Sequence, residues 1–376
     1  MERRTVAPRK DWQQKVEELG LLFHTQERPY WDESAYYELT AREVDELEKA
    51  TNDLHARCLD AVQHVIDRNR FAELRIPEVV IPYVKQAWEE EPPSLYGRFD
   101  LAYDGKSPPK MLEYNADTPT ALLEASVVQW YWLQELFPKE DQFNSIHEHL
   151  LSTWKDLRPY LKGTPLYFGH MDDTEDMITV TYLRDTAEQA GVQTAALLMD
   201  EIGWDNDRDC FVDLEEKPMR SIFKLYPWEW MIHEEFGAHV QSTRNETQWI
   251  EPVWKMVLSN KGILPILWEL NPNHPNLLEA RFGDPGKMSE YVKKPLLSRE
   301  GANVTVKTTS GTVETGGDYG EEGFIFQARA SVSDFSGFYP VLGSWVIGGE
   351  AGGVGIRESD KLVTDNLSRF VPHLFR

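Results

Sequence analysis

Tyr96–Tyr103 reads YGRFDLAY and Lys110–Thr120 reads KMLEYNADTPT, and the reading of this pair decides the fold. Asp104-Gly105 between them is a strong turn signal, and Lys106-Ser107-Pro108-Pro109 cannot extend a sheet. Two antiparallel strands joined by a loop follow. Side chains two residues apart share a face of a strand. Arg98 and Asp100 therefore point the same way, as do Glu113 and Asn115. An arginine, two carboxylates and an amide in one patch are hard oxygen ligands beside a fork that suits phosphate. That combination fits Mg²⁺ and a nucleoside triphosphate; a solvated hairpin with a salt bridge accounts for the same segment equally well.

Upstream of the hairpin the chain reads as helical, with apolar periodicity through Trp12–Phe23 and a long charged amphipathic stretch over Ala41–Phe71. Downstream, Thr118-Pro119-Thr120 opens a helix over Ala121–Phe137, with Pro119 in its first turn. Asn115, Asp117, Thr118 and Thr120 then line a strand-to-helix junction whose free N–H groups favour anions. From about Gly163 to Thr247 the pattern changes: TPLYFGHM and VQTAALLMD read as strands around a helix Asp173–Ala190, a βαβ rhythm. A helix at Lys261–Leu270 precedes glycine-rich, strand-like sequence from Tyr291 to Arg357.

The chain has 376 residues, 41% hydrophobic and 12% aromatic, enough for two or three subdomains around a large core. A formal charge of −24 argues against a nucleic-acid partner and is compatible with a cationic small substrate. Two cysteines, Cys58 and Cys210, make no disulfide framework, which fits a reducing, cytoplasmic compartment. The basic start MERRTVAPRKDW has no apolar stretch after it, so it is no secretory signal. Glu124, Gln129, Gln134 and Glu135 interrupt the most apolar long segment, which reads as a buried helix, not a membrane span.

Several motifs carry less. VKKPLLSREGANVTV, from Val292 on, could close a flexible loop over phosphates or be an ordinary basic hairpin; no GxxxxGK[ST] occurs. IGGEAGGVGIRES, Ile347–Ser359, lacks the dinucleotide spacing. It suits close approach of backbone to a ligand with Arg357 aimed at it, or a plain glycine-rich bend. DNDRDCFVDLEE has acidic residues at calcium-loop positions but Cys210 where the sharp turn needs glycine, so that assignment fails. His147 and His149 face different sides of a helix, against metal binding. Glu175 and Asp176 at the start of the middle helix are ordinary dipole partners that could also receive an ammonium group.

Taken together, four ordered blocks resemble the glutathionylspermidine synthetase family of the ATP-grasp superfamily, in particular stand-alone acid–amine ligases. The blocks are YGRFDLAYDG…KMLEYNADTPT, IEPVWKMVLSNKGILPILWELNPNHPNLL, VKKPLLSREGAN and GGVGIR. The resemblance implies an α/β (α+β) ATP-grasp fold with an inserted small α/β lobe. It divides the chain into 1–140, a helical region with the metal hairpin; 141–250, the small substrate lobe; and 251–376, the nucleotide-binding region. Bifunctional relatives carry an upstream amidase domain, so amidase activity is not expected here. The resemblance makes Asp100, Glu113 and Asn115 ligands of two Mg²⁺ ions, and Arg98 and Arg357 catalytic. It assigns Arg98, Lys261, Lys294, Arg299, Gly301, Asn303 and Gln327 to ATP, with Arg299–Asn303 as a mobile loop. Substrate contacts fall to Thr118, Thr120, Glu175, Asp176 and Glu229.

The implied reaction joins a small-molecule acid to an amine, polyamine-like, through an acyl phosphate, with ADP and phosphate released and no membrane partner. Around Lys224, FKLYPWEWM has leucine and tryptophan where glutathione-using relatives carry threonines that hold the peptide. Glu300 replaces a small or sulfur-bearing residue in the loop, and Thr118 and Thr120 replace serines. The expectation is an active ligase whose acid need not be glutathione. The alternatives are a non-catalytic nucleotide- or polyamine-binding protein of the same fold and a kinase that stops at phosphorylation.

Overall fold

The computed structural model describes residues 1–25, 29–331, 333–361 and 368–376. Its centre is a five-stranded antiparallel sheet. In spatial order it runs Arg369–Val371, Glu350–Ser359, Tyr339–Ile347, Tyr96–Ala102 and Lys110–Asn115. The hairpin forms as expected from its turn: the backbone N–H groups of Lys106 and Ser107 donate to Asp104 Oδ1 at 2.9 and 2.7 Å, and Gly105 takes φ of 74°. One face of this sheet is covered by the 27-residue helix Ala41–Asp67. That helix starts at a capping box in which Thr40 and Glu43 satisfy each other's backbone N–H groups. Its stripe of Val44, Leu47, Leu54, Cys58 and Val62 is buried in the main core.

A second five-stranded antiparallel sheet has the order Ala280–Phe282, Phe324–Ala328, Tyr291–Pro295, Thr305–Thr308, Gly311–Glu314. The middle section builds a four-stranded parallel sheet, Gln248–Ile250, Ser221–Leu225, Leu166–His170, Thr194–Leu198. The helix Thr174–Gln189, capped by the Asp173 carboxylate, crosses between its last two strands. The βαβ expectation is met, and two strands beyond it complete the sheet. A small sheet joins Glu2–Thr5, Ala35–Leu39 and His373–Phe375.

Two expectations are corrected. The helical reading of the first ninety residues misses the strands Glu2–Thr5 and Ala35–Leu39, and the first helix is only Trp12–Glu18 because Gly20 turns the chain at φ of 99°. Pro119 precedes the next helix instead of opening it: Ala121 sits at φ of 64°, and a π turn over Glu124–Val128 leads into Gln129–Leu136. The glycines of 348–355 allow close packing within the protein, and Gly355 also lines a hollow with Arg357. A Cβ on Gly355 would lie 2.7 Å from the Phe370 ring, and one on Gly353 would lie 2.7 Å from the Phe143 carbonyl oxygen. The acidic segment around Asp205–Asp209, where the calcium pattern failed, lies in the hairpin Gly203–Asp205 and Cys210–Val212. Among the described residues no helix is long and apolar enough to cross a membrane.

Candidate active site

The hairpin register puts Asp100 directly across from Glu113 and Arg98 across from Asn115, with a bulge after Asp100. Arg98 is fixed on three sides. Its Nε donates to Asp100 Oδ1 at 2.8 Å, its Nη1 donates to the Thr120 carbonyl at 2.8 Å, and its guanidinium lies 5.7 Å from the Trp345 ring centroid. Gly343, the cross-strand partner of Asp100 on the other side, is what leaves Arg98 its room. A Cβ there would sit 2.8 Å from Arg98 Cδ.

Two lysines approach the same hairpin from the C-terminal half. Lys261 Nζ is 3.1 Å from Glu113 Oε2 and 2.5 Å from the Ser298 carbonyl. Lys294, on the second five-stranded sheet, donates to the Leu112 carbonyl and to Gln327 Oε1, both at 2.9 Å. Gln327 in turn donates to the Met111 carbonyl at 3.0 Å. The early acidic hairpin and the late basic strand therefore meet. Burial alone would push the Glu113 carboxyl up, but the Lys261 and Lys294 ammonium groups and the Arg98 guanidinium hold it down at about 2. Burial drops the Lys294 ammonium to about 8, with Glu113 opposing that shift.

Between the two sheets lies a cleft with a void of about 990 Å³, counted out to its open mouth. Asp100, Glu113, Lys261, Lys294, Gly301 and Gln327 line it, with Glu300 at the loop. Asp100 and Val341 are shared with a smaller hollow that brings Arg98 and Arg357 together. Asp100, Glu113 and Asn115 form a donor set of two carboxylates and an amide. Among the described residues no three His, Cys, Asp or Glu side chains form a metal cage. Two carboxylates with phosphate oxygens and water completing the shell are what Mg²⁺ commonly uses, so the residues fit that ion.

The loop after Ser298 crosses toward Thr118 and Glu229. Arg299 Nη1 donates to Thr118 Oγ1 at 2.8 Å and Nη2 to Glu229 Oε1 at 2.7 Å. Left-handed backbone at Glu300, Gly301 and Asn303 shapes the loop. The Asn303 backbone N–H donates to the Gly316 carbonyl at 3.1 Å, and Asn303 is not among the residues lining the cleft. Glu175 and Asp176 occupy the first turn of Thr174–Gln189; Glu175 is within electrostatic reach of Arg98, and Asp176 of Arg299. Burial, with Asp173 and Glu175 nearby, raises Asp176 to about 7. Thr120 contributes its carbonyl, through Arg98.

Sequence reasoning missed three partners. Trp345 underlies Arg98. Glu124, 2% exposed, accepts the Tyr30 hydroxyl at 2.6 Å, and burial raises it to about 7. A carboxylate inside an otherwise apolar helix was the available signal. The third is a fully buried ion pair, Lys224 Nζ to Asp117 Oδ1 at 2.6 Å, which turns Asp117 away from the junction.

Comparison with known proteins adds the following. Residues 3–376 match the family model described as glutathionylspermidine synthase preATP-grasp. The chain is 43% identical over 360 residues to a Haemophilus influenzae protein provisionally described as an acid–amine ligase, covering 92% of this chain and 91% of that one. It is 30% identical to the trypanothione synthetase of Crithidia fasciculata, over 83% of this chain and 52% of the relative. It is 29% identical to the bifunctional glutathionylspermidine synthetase/amidase of Escherichia coli K12, over 90% and 58%. The chain thus spans little more than half the length of these last two. A glutathione synthetase-like effector from Globodera pallida superimposes with a TM-score of 0.59 at 9% identity, over 97% of this chain and 96% of that one, a likeness of fold.

Proposed function

The chain belongs to the glutathionylspermidine synthase family, and from that premise we propose that it is an ATP-dependent ligase joining a carboxylic acid to an amine. The observation that carries this reading is the convergence on Glu113 of positive charge from three separate segments, Arg98, Lys261 and Lys294. Such a constellation serves little purpose unless polyanionic phosphate and its counter-ions enter the cleft.

Asp100, Glu113 and Asn115 would hold Mg²⁺, which when bound neutralises charge on phosphate oxygens. Lys261 and Lys294 would then exchange protein partners for phosphate oxygens, while Gly301 and its neighbours cover the nucleotide. The substrate carboxylate attacks the γ-phosphorus of ATP, the bond to the β–γ bridging oxygen breaks, and ADP leaves. Arg98 and Arg357, lining one hollow, stabilise the phosphoryl oxygens in transfer. The amine nitrogen then attacks the acyl carbon and phosphate departs. An ammonium group cannot attack, so a proton must leave first; Asp176, near 7, is suited to accept it.

The test is ADP release over a panel of acids and peptides paired with polyamines, with product masses. Glu113→Gln should lower turnover by about a hundredfold or more in protein whose circular dichroism shows it folded. A phosphorylated acid as the final product would make the protein a kinase. Wild-type turnover in Glu113→Gln would sink the reading.

A further inference from the structure

Where parallel strands end, ligands bind. His170 and Leu225 are cross-strand neighbours at the C-terminal ends of their strands, and the segments that follow carry Asp176 on one side and Trp228–Trp230 on the other. On the Trp228–Trp230 side, Lys224 and Arg299 reach this edge, and both are already matched by carboxylates of the protein. Lys224, 0% exposed, is held by Asp117 and by the Tyr226 carbonyl at 2.8 Å. Arg299 is held by Glu229, whose side chain is 10% exposed, and by Thr118. His170 Nδ1 lies 2.6 Å from the Met171 carbonyl. A second carboxylate on an incoming acid would therefore find cations whose charge is met, with Glu229 and Asp176 repelling it.

Trp230 is different. Its neighbour Trp228 is fully buried, yet Trp230 keeps 39% of its surface exposed. The ring is held in place by the Arg299 guanidinium 5.6 Å from its centroid and by the Tyr226 ring, 5.6 Å away at 74°. A rigid, exposed indole beside a neutralised guanidinium is a platform for a planar or apolar group.

Resting on the ligase reading above, we infer that the acid substrate carries a single anionic group, the reacting carboxylate, and that its remote end is an uncharged planar or apolar group lying on Trp230. Glu229 is then the residue that sets this selectivity, because it cancels the charge with which Arg299 would receive a second anion.

The probes are two N-acylglycines that differ only at the remote end, phenylacetylglycine and succinylglycine. Calorimetric binding is measured for wild type, Trp230→Ala and Glu229→Gln, with ADP release followed in parallel in the presence of spermidine. Wild type should bind phenylacetylglycine at least about tenfold more tightly, and Trp230→Ala should erase the difference. Glu229→Gln should tighten succinylglycine by about tenfold, the size of one charge-assisted hydrogen bond. That gain cannot come from a misfolded variant. Equal or reversed preference in wild type, preference that survives Trp230→Ala, no gain in Glu229→Gln, or binding of neither probe would overturn the inference. ADP release with reversed preference would retain the ligase and remove only the selectivity. The expected preference without ADP release would do the opposite.

Discussion

Gly343 lines the hollow that holds Arg98 and Arg357, and the position of Arg98 depends on it. A methyl group added 2.8 Å from Arg98 Cδ forces a shift, and the flexible Arg98 side chain should take it up before the strand pairing does. If Arg98 stabilises the transferring phosphoryl group as proposed, displacing it by about 1 Å costs on the order of a hundredfold in rate. Gly343→Ala should therefore lower kcat for ADP release by about tenfold or more while chemical denaturation shifts by less than about 1 kcal/mol. Glu124 gives a stability prediction. Its ordinary value is 4.5 and burial raises it to about 7. Between those values the native state keeps a proton that the unfolded chain has released, so stability falls as pH rises through that window. From about pH 5 to about pH 8 the wild type should lose up to about 3 kcal/mol that Glu124→Gln, which can still accept from Tyr30, does not lose. Urea unfolding at the two pH values measures it; parallel losses in both proteins would refute the assignment.

At the scale of elements, the Lys224–Asp117 pair ties the parallel sheet to the segment leaving the hairpin, and Asp117 Oδ2 also accepts the Trp228 N–H at 2.9 Å. Removing one partner leaves a charge buried in the core. Lys224→Met should cost about 3–5 kcal/mol in guanidinium unfolding, and Lys224→Met with Asp117→Asn clearly less. The same pair explains what sequence reading could reach. The hairpin was legible because turn residues and two-residue alternation are local. So was the helix Thr174–Gln189, which carries its own cap at Asp173. Ser221–Leu225 was not, since all five residues are buried with a lysine among them, and the neutralising carboxylate comes from 107 positions away. Glu2–Thr5, ERRT, has no apolar alternation and exists only through its pairing with Ala35–Leu39. The site was legible as separate blocks. That Lys294 would meet Leu112 and Gln327, or that Asn303 would pair with Gly316, is tertiary.

For the whole molecule, the cleft sits between two five-stranded sheets, and carboxylates and cations both line it. Nucleotide bound there with its metal should act as a clamp. Mg²⁺ and ATP at about a hundredfold excess over Kd should raise Tm by roughly 3–5 °C. Chelation with EDTA should abolish ADP release and return Tm to that of the ligand-free protein, because among the described residues no three His, Cys, Asp or Glu side chains are placed to hold a structural ion. A fall below that value would mean a structural ion. The pairing of Tyr96–Ala102 with Tyr339–Ile347 has a consequence during synthesis. The hairpin leaves the ribosome with its Tyr96–Ala102 edge bare and must wait for most of the remaining message to be translated before its neighbour arrives. Until then Arg98 lacks both Trp345 beneath it and Gly343 beside it. A nascent chain can be long, compact and still chemically silent, and a stalled one presents an open edge to whatever quality-control machinery meets it first.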